Sequence, residues 1–346
     1  MLVPFEAEIL KCVADDLLYA AGVEVLLHTT VVSAILDETK LTHIIVSGPE
    51  GMFAIETNFC IDCSGDGFVA ADIGVPFALG NEPENVMMPM TTVFRIGGVD
   101  VSQMKDSENP ETGYVVNSIR EVLNHGLEDG EIPLFGGPWI MRGSTLRKNQ
   151  AFVNMVRQWG NPTDAWEISK AERAGRSDMD RLFGYLKANV PALAQAYILD
   201  SGSSIGIRDS RHFKCMKKLT LEEALGLAHQ EDSIGLGGHI IDIHSTDGST
   251  AQRRDTLPFY EMPLLSMVPS ECSNLLICGR TIDAEYEMFA SLRVMVTCMV
   301  LGQGAGVAAA LCVERRIGAQ QIVPSVLQER LKKADVLVHR EDAETI

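Results

Sequence analysis

The densest group of charged side chains lies in residues 206–212, which read GIRDSRH. Arg208, Arg211 and His212 stand here around the carboxylate of Asp209. Guanidinium groups bind carboxylates through paired hydrogen bonds, so two arginines in one short turn would suit an anionic substrate. A solvated charged turn or an internal ion-pair network explains the same residues at least as well. The segment therefore predicts either an anion site or a structural network.

Two histidines, His239 and His244, flank the run 240–243, which reads IIDI. Imidazole titrates near neutral pH, so either histidine could transfer a proton during a reaction. A histidine that only makes hydrogen bonds inside the fold is the alternative for each of them. Their spacing alone does not decide between a catalytic and a structural role.

Cys60 and Cys63 form a CxxC pair, which is typical of redox dithiols and of half a metal site. Both lie in a predicted strand, where residues three apart point to opposite faces, and no second CxxC or CxxH completes a metal site. The rest of the eight cysteines are scattered and show no iron–sulfur ligand run. The sequence therefore predicts structural thiols in a reducing compartment and no metal site.

Three apolar runs end at glycines, which is typical of α/β sheets that bind nucleotides. No GxGxxG motif follows a predicted strand, and no P-loop is found. The nearest match is residues 302–306 (GQGAG), whose third glycine comes one residue early and which no β-run precedes. The usual phosphate-binding turn of a dinucleotide fold is therefore not recognisable.

Hydrophobic periodicity predicts the elements that position these residues. Apolar residues at helical spacing predict a helix over 6–21, which Gly22 ends. The run 23–28 (VEVLLH) predicts a buried strand. Three β-rich runs separated by turn residues predict an antiparallel meander over 31–36, 42–47 and 52–57.

Two short apolar runs, 59–63 and 274–278, predict buried strands that end in the glycine turns SGDG and GR. A short helix is expected after the first turn. The uncharged stretch 294–313 predicts a long helix, whose small and polar residues favour burial inside a protein over a membrane span. An amphipathic helix over 324–334 and a frayed polar tail complete the predicted order.

Composition restricts the expected partners. The chain has 346 residues, with 29 Lys and Arg against 47 Asp and Glu and a formal charge of −18. A surface this acidic repels phosphate backbones and anionic lipid, so neither nucleic acid nor a membrane is an expected partner. The first ten residues show no secretory signal, and a cytoplasmic location is expected.

Several segments, taken in order, resemble FAD-dependent oxidoreductases of the heterodisulfide reductase A-like group. The matching segments are AGVEVLLHT at 21–29, IDCSGDG at 61–67, PMT and FRIGGVD within 89–100, GIRDSR at 206–211, DIH at 242–244, and GR, SLRVM, TCM and GQ within 279–303. Together they cover nearly the whole chain. Each motif alone is common, and their shared order carries the resemblance.

The resemblance implies an α/β fold, namely an FAD/NAD(P)-binding sheet of the glutathione reductase-like type with an inserted α+β substrate domain. It places the FAD-binding domain at 1–97 and 271–335, the inserted domain at 98–270 and a tail at 336–346. Family members open with a strand–GxGxxG–helix–strand unit, which this chain lacks. The implied sheet is therefore incomplete at its N-terminus. A longer chain or a partner chain would supply the unit, and a homo-oligomer is a further possible assembly.

The same resemblance implies which residues contact FAD. The turn with Gly65 and Asp66 would pass the diphosphate, and Gly279 with Arg280 would lie beside the ribityl chain and the flavin. Val31 would approach the adenine.

The long apolar helix would meet the flavin with its first turn. A helix N-terminus carries partial positive charge, so the N–H groups near Arg293, Val294 and Met295 would favour the anionic reduced flavin. The catalytic residues that the resemblance implies are Arg208, Arg211 and His244. Asp283 and Tyr286 stand where the family usually has Ser and His.

The implied function is that of an FAD-dependent oxidoreductase that acts on a small anionic molecule by hydride or electron transfer through the flavin. Without a phosphate-binding turn, the chain is expected to bind FAD weakly or not at all. Two alternatives stay open. One is an iron–sulfur-linked electron-transfer flavoprotein with a 4Fe-4S cluster, as in some relatives, although no ligand pattern is found here. The other is a non-catalytic remnant that binds no flavin.

Overall fold

The computed structural model describes residues 5–104, 114–115, 117–142, 144–246 and 252–343. Their contacts divide the chain into two compact units. Unit 1 comprises the described residues of 1–26, 88–208 and 244–251, and unit 2 those of 27–87, 209–243 and 252–346.

The secondary structure of the described residues follows in chain order. The helices are α1 (Ala7–Ala20), α2 (Phe68–Asp72), α3 (Asn117–Glu128), α4 (Ala165–Asn189), α5 (Leu221–Leu225), α6 (Tyr286–Leu292), α7 (Met295–Arg315), α8 (Pro324–Lys333) and α9 (Arg340–Ala343). The strands are β1 (Thr30–Asp37), β2 (Lys40–Gly48), β3 (Gly51–Glu56), β4 (Cys60–Asp62), β5 (Phe77–Leu79), β6 (Phe94–Gly97), β7 (Tyr114–Val115), β8 (Ile140–Arg142), β9 (Gln150–Val153), β10 (Tyr197–Ser201), β11 (Arg211–Phe213), β12 (Ser233–Gly237), β13 (Ile241–His244), β14 (Gln252–Asp255), β15 (Tyr260–Pro263) and β16 (Leu275–Ile277).

Unit 1 is built on a five-stranded antiparallel sheet in the order β10-β6-β9-β8-β7. Helices α3 and α4 cover it, because Leu123 and Leu182 are fully buried in one apolar core with Phe94 and Val153 of the sheet. Asp164 begins α4 by accepting hydrogen bonds from the first free N–H groups of the helix. Unit 1 is therefore an α+β structure.

Unit 2 contains the predicted antiparallel meander, since β1, β2 and β3 pair in that order. Strands β4 and β16 form a separate parallel pair. The side chain of Asn274 joins the two sheets, since its amide exchanges two 2.8 Å hydrogen bonds with the backbone of Leu41. Val69 of α2 packs on the same core as Leu275. The predicted meander, short strands and following helix are confirmed.

The predicted strand over 23–28 is wrong. The described residues there form no strand, and the side chains of Leu26 and Leu27 are 57% and 70% exposed. A strand needs a neighbouring backbone to pair its N–H and C=O groups, and none of the described strands pairs with this run. Apolar composition alone therefore did not make a strand.

The compact units also divide the chain differently from the predicted boundaries at 98 and 270. Strand β6 belongs to unit 1 because it pairs with β9 and β10. Residues 209–243 and 252–270 belong to unit 2, where Phe213 packs with Leu275. A strand or loop joins the unit that holds its packing partners, and the sequence does not display those partners.

Helix α7 confirms the predicted long apolar helix. It is the one helix among the described residues that is long and apolar enough to cross a membrane, and 39% of its most apolar stretch is buried. It packs against β12, α8 and β4. A Cβ atom at Gly304 would lie 2.7 Å from the side chain of Ile234, which explains a glycine at that position.

The tail is packed where a frayed end was predicted, as far as residue 343. Val338 is fully buried and its carbonyl accepts a 2.6 Å hydrogen bond from Ser233. Asp342 caps α9 by accepting bonds from the N–H groups of Val338 and His339. Residues 344–346 lie outside the described part of the chain.

Candidate active site

The turn 64–67 joins β4 to α2 and is closed by side chains on either side of it. The buried carboxylate of Asp62 accepts hydrogen bonds from the N–H groups of Ser64 (3.0 Å) and Ala70 (3.1 Å). The hydroxyl of Ser64 accepts the N–H of Phe68 at 2.9 Å. These bonds satisfy free N–H groups at the start of α2 and hold the turn in one shape.

Two glycines in this turn could not be replaced by another residue without backbone strain or a steric clash. Gly65 and Gly67 have φ angles of +82° and +63°, which L side chains rarely adopt. A Cβ at Gly67 would lie 2.0 Å from the ring of Phe213, and one at Gly65 would lie 3.0 Å from the guanidinium of Arg280. The turn therefore lets Arg280 approach the backbone closely.

Arg280 follows Gly279 at the end of β16 and brings two of the sequence motifs together. Its Nη2 donates to Asp66 Oδ1 at 2.8 Å, and the hydroxyl of Ser210 donates to the same oxygen at 2.7 Å. The Nε of Arg280 is buried and has no hydrogen-bond partner among the described residues. The SGDG and GR turns, which the resemblance places along one cofactor, are therefore in direct contact.

Arg211 belongs to the same group. Its Nη1 donates to the backbone carbonyl of Asp66 at 3.0 Å, and its guanidinium carbon lies 5.3 Å from the centre of the Phe77 ring. Its Nε is likewise buried and unpartnered within the described structure. Asp66, Ser210, Arg211 and Arg280 are named the Asp66 cluster below.

The first turn of α7 offers free hydrogen-bond donors. Val294 begins the helix with no side-chain cap, and the first turn holds no acidic residue. The N–H groups at 295–297 therefore have no partner within the helix. Arg293 lies just before them, donates to the carbonyl of Asp242 at 2.7 Å and keeps a buried, unpartnered Nε. Met295 is half exposed.

A second polar group was not predicted from the sequence. The fully buried carboxylate of Asp209 lies 2.8 Å from Nε2 of His212 and accepts the hydroxyl of Tyr286 at 3.0 Å. Burial and the charge of Asp209 raise the pKa of Tyr286 well above its ordinary value, so its hydroxyl stays protonated. The sequence placed Asp209 and His212 in one motif, but only the fold brings Tyr286 to them.

His212 and Tyr286 line a cavity of about 250 Å³ in unit 2. Lys214 and Lys218 line it as well, together with four acidic residues, Glu82, Asp283, Glu285 and Glu287. Burial raises the pKa of Asp283 against the pull of the two lysines. The cavity therefore combines proton-carrying groups with two lysines and a larger number of acidic side chains.

Arg208 differs from Arg211 in its surroundings. It lies in unit 1, is 8% exposed, and donates to the carbonyl of Pro89 at 2.6 Å and to the amide oxygen of Asn154 at 3.2 Å. Arg157 donates to the same amide oxygen at 3.0 Å. This geometry favours the structural network, the alternative that the sequence left open.

Two further predicted site residues, His244 and Val31, do not belong to the Asp66 cluster. His244 is buried in unit 1, at the end of β13, and does not line the cavity of unit 2. Val31 pairs with Val46 in the meander and packs against the apolar core of unit 2.

The two cysteines of the CxxC pair have different surroundings. Cys63 and Cys278 each directly follow one of the paired strands β4 and β16, and a hydrogen bond from the thiol of Cys278 lowers the pKa of Cys63. Burial raises the pKa of Cys60 to about 12. All eight cysteines are free.

The residues of unit 2 could hold one part of a bound FAD, namely the part near Gly279. The Nε atoms of Arg280 and Arg293 are buried without partners, which costs roughly 1–3 kcal/mol each unless a ligand accepts them. Gly279 has a φ of +100°, and a Cβ there would meet no atom within 4 Å. Open space beside unpaired donors suits an oxygen-rich cofactor. A phosphate-binding glycine turn is not found among the residues described.

Glycine turns follow the carboxyl ends of the parallel strands β4 and β16, and unpaired arginine donors lie near them. In α/β proteins this end of a parallel sheet is where nucleotide cofactors bind. The family model for FAD dependent oxidoreductases matches residues 1–331, so the chain belongs to the FAD dependent oxidoreductase family. The membership confirms the predicted resemblance at the level of the family. Among curated proteins no significant match is found.

Solved structures similar to this chain include a reductase-like protein and two flavin-dependent halogenases. A geranylgeranyl bacteriochlorophyll reductase-like protein from Thermoplasma acidophilum is 12% identical, with 93% of this chain and 57% of that chain covered and a TM-score of 0.42. The flavin-dependent halogenase CmlS is 11% identical, with coverage of 92% and 42% and a TM-score of 0.45. The myxobacterial chondrochloren halogenase CndH, an FAD-dependent halogenase, is 11% identical, with coverage of 93% and 55% and a TM-score of 0.42. The chain spans about half the length of these proteins.

Proposed function

We propose that unit 2 forms the flavin-facing half of the FAD site of an oxidoreductase that exchanges hydride or electrons with a small anionic molecule. The observation that carries this proposal is Arg280, which Asp66 holds in place while its buried Nε stays unpartnered beside the open space at Gly279.

Each part of the site has a role in this proposal. Gly65 and Asp66 hold Arg280, whose Nε donates to the cofactor. The free N–H groups at 295–297, with Arg293 beside them, hold negative charge on a cofactor oxygen. Bound FAD would supply the hydride or electron chemistry.

The proton-carrying group is assigned to the cavity of unit 2. The hydroxyl of Tyr286 holds its proton because burial raises its pKa, and Asp209 links this hydroxyl to the imidazole of His212. Asp209 therefore links a hydroxyl that keeps its proton to an imidazole through two hydrogen bonds, which form a path for a proton.

The anionic substrate keeps its place in the proposal, with Arg211 alone of the predicted arginine pair left to bind it. The guanidinium of Arg208 is engaged by Pro89 and Asn154, which removes it from the predicted arginine pair. Arg211 keeps a buried Nε without a partner in the described structure, so it can donate to an anion. The cavity is lined by four acidic residues as well as Lys214 and Lys218, and it is not assigned to the anion.

The phosphate-binding half is assigned to a strand–GxGxxG–helix unit of a longer chain or of a partner chain. Two observations support this. The parallel pair β4–β16 has no further strand among the described residues, and α7 exposes Val296 (68%) and Met299 (56%). The proposal further includes three more specific statements. The chain belongs to the heterodisulfide reductase A-like subgroup, its inserted domain binds the substrate, and the protein is located in the cytoplasm.

Equilibrium dialysis of the purified 346-residue chain against FAD tests the proposal. The expected result is weak, saturable binding of one FAD, with a dissociation constant above about 10 µM, because only one half of the site is present. Arg280→Gln should weaken it about tenfold or more, since a charge-assisted hydrogen bond is lost. Arg173→Gln, at an exposed position on α4, is the matched control.

Two outcomes would contradict the proposal. Stoichiometric FAD that survives desalting would show that the chain supplies its own phosphate site. Absence of saturable binding up to about 1 mM FAD would show that unit 2 has no affinity for the cofactor.

A further inference from the structure

Three ligand-type side chains meet in unit 2 at a place that the proposed flavin site does not use. His229 follows α5, Glu261 lies on β15 and His339 directly precedes α9. The Nδ1 atoms of His229 and His339 lie 3.4 and 3.1 Å from Oε2 of Glu261. All three ligand atoms lie within 4.8 Å of one another.

The carboxylate at the centre of this group is held firmly. Glu261 is 2% exposed, and its two oxygens accept the N–H groups of Gln230 (2.8 Å) and Arg340 (3.3 Å). His339 is fixed by the cap of α9, where Asp342 accepts its N–H at 2.9 Å. The backbone therefore sets the positions of two of the three ligands without help from an ion.

The spacing suits one class of ion. Ligand atoms around a tetrahedral Zn²⁺, with bonds of about 2.0–2.2 Å, lie about 3.3–3.5 Å apart. The two measured nitrogen–oxygen distances, 3.4 and 3.1 Å, are close to that separation. Two imidazoles and one carboxylate suit Zn²⁺ and its neighbours in the first transition row, whereas Mg²⁺ and Ca²⁺ prefer oxygen ligands.

We propose that His229, Glu261 and His339 bind a divalent transition-metal ion of the zinc type. The side chain of His229 is 59% exposed, so an ion reaches the group from solvent and a water molecule completes the fourth position. Bound metal ties the C-terminal segment to β15 and to the loop after α5. The proposal corrects the sequence-based expectation that the chain has no metal site.

Titration of the full chain with ZnCl₂ by calorimetry, after treatment with a chelator, tests the proposal. One Zn²⁺ per chain is expected. His229→Ala should weaken binding by at least about 100-fold, because removal of a direct ligand costs more than loss of an outer-shell contact. His125→Ala, at an exposed position on α3, is the control and should leave the affinity unchanged.

Glu261→Gln is the second variant, because it keeps the shape of the side chain and removes its charge. It should also weaken Zn²⁺ binding, with an unchanged circular dichroism spectrum. Co²⁺ added in place of Zn²⁺ should give the intense visible bands of a four-coordinate ion, and these bands should be lost in His229→Ala. The proposal is overturned if the chain takes up no Zn²⁺, or if uptake is the same in His229→Ala. In that case the two histidines only make hydrogen bonds to a buried carboxylate.

Discussion

Arg208 and Arg211 lie three residues apart in one charged motif and have entirely different surroundings. In unit 1 the guanidinium of Arg208 donates to neutral oxygens of Pro89 and Asn154. In unit 2 Arg211 donates to the backbone of Asp66 and keeps an unpartnered Nε. The difference teaches that an arginine stabilises the fold where protein oxygens accept the hydrogen bonds of its guanidinium. An arginine is a candidate for ligand binding where one of its N–H groups has no acceptor and lies beside a glycine turn.

Replacement of Arg208 should have the largest effect. Arg208→Ala leaves the carbonyl of Pro89 without its charged donor and removes one of the two arginines that donate to the amide oxygen of Asn154, so we expect the free energy of unfolding to fall by about 4 kcal/mol. Urea unfolding followed by circular dichroism measures the loss. Arg173→Ala on α4 should change the stability little. An Arg208→Ala variant as stable as the parent chain would remove the structural role of this residue.

Replacement of Gly67 tests the glycine turn beside Arg280 in unit 2. An alanine there would be strained at a φ of +63° and would collide with Phe213, so a loss of about 3 kcal/mol is expected. Gly74 is the matched control in the same unit. Its φ is +85° and a Cβ meets no atom within 4 Å, so Gly74→Ala should cost only about 1 kcal/mol. Equal thermal shifts in the two variants would mean that Phe213 moves aside freely.

Tyr286 tests the proton-carrying group. Tyr286→Phe leaves Asp209 without its hydroxyl donor and should lower the free energy of unfolding by about 2 kcal/mol near neutral pH. The pKa of Tyr286 is raised in the folded protein, so its contribution is fully present below the unfolded pKa of 10.0 and is lost as the pH rises above it.

The pH dependence separates Tyr286 from a second buried tyrosine. Burial raises the pKa of Tyr260 to about 12, so the parent chain should lose stability as the pH rises from 10 to 12. Each of the variants Tyr286→Phe and Tyr260→Phe should lose stability less steeply in that range. A slope in Tyr286→Phe identical to that of the parent chain would show that this hydroxyl is accessible and ordinary.

The thiols at the ends of β4 and β16 should show the smallest effect. The Cys278 thiol donates to Cys63 and lowers its pKa, so the exposed Cys63 should react with iodoacetamide at lower pH than an ordinary thiol. In Cys278→Ala the pH profile of Cys63 alkylation, followed by mass spectrometry, should shift upward. Cys312→Ala removes another buried thiol and should leave the profile in place. The same shift in both variants would rule out a specific bond between Cys63 and Cys278.

Local pattern predicted much of the fold. Helix α1, the β1–β3 meander, the turn between β4 and α2, and helix α7 all follow from period and turn residues that lie close together in the chain. The contact between Asp66 and Arg280 was not predicted, because the resemblance only placed the two turns at different parts of the cofactor and their separation in the chain gives no further signal. The strand predicted over 23–28 failed because a strand depends on a partner that the pattern does not contain.

By itself the sequence determined the order of the elements, the glycine turns and the family to which the chain belongs, since each of these is set by neighbouring residues or by motif order. Only the tertiary structure decided that Arg208 and Arg211 belong to different compact units. It also decided that Tyr286 donates a hydrogen bond to Asp209, and that His339 contacts Glu261, from which it is 78 residues away in the chain. The physical reason is that the charge, burial and hydrogen bonding of a side chain depend on what packs against it. Packing joins residues whose separation in the sequence carries no periodic signal.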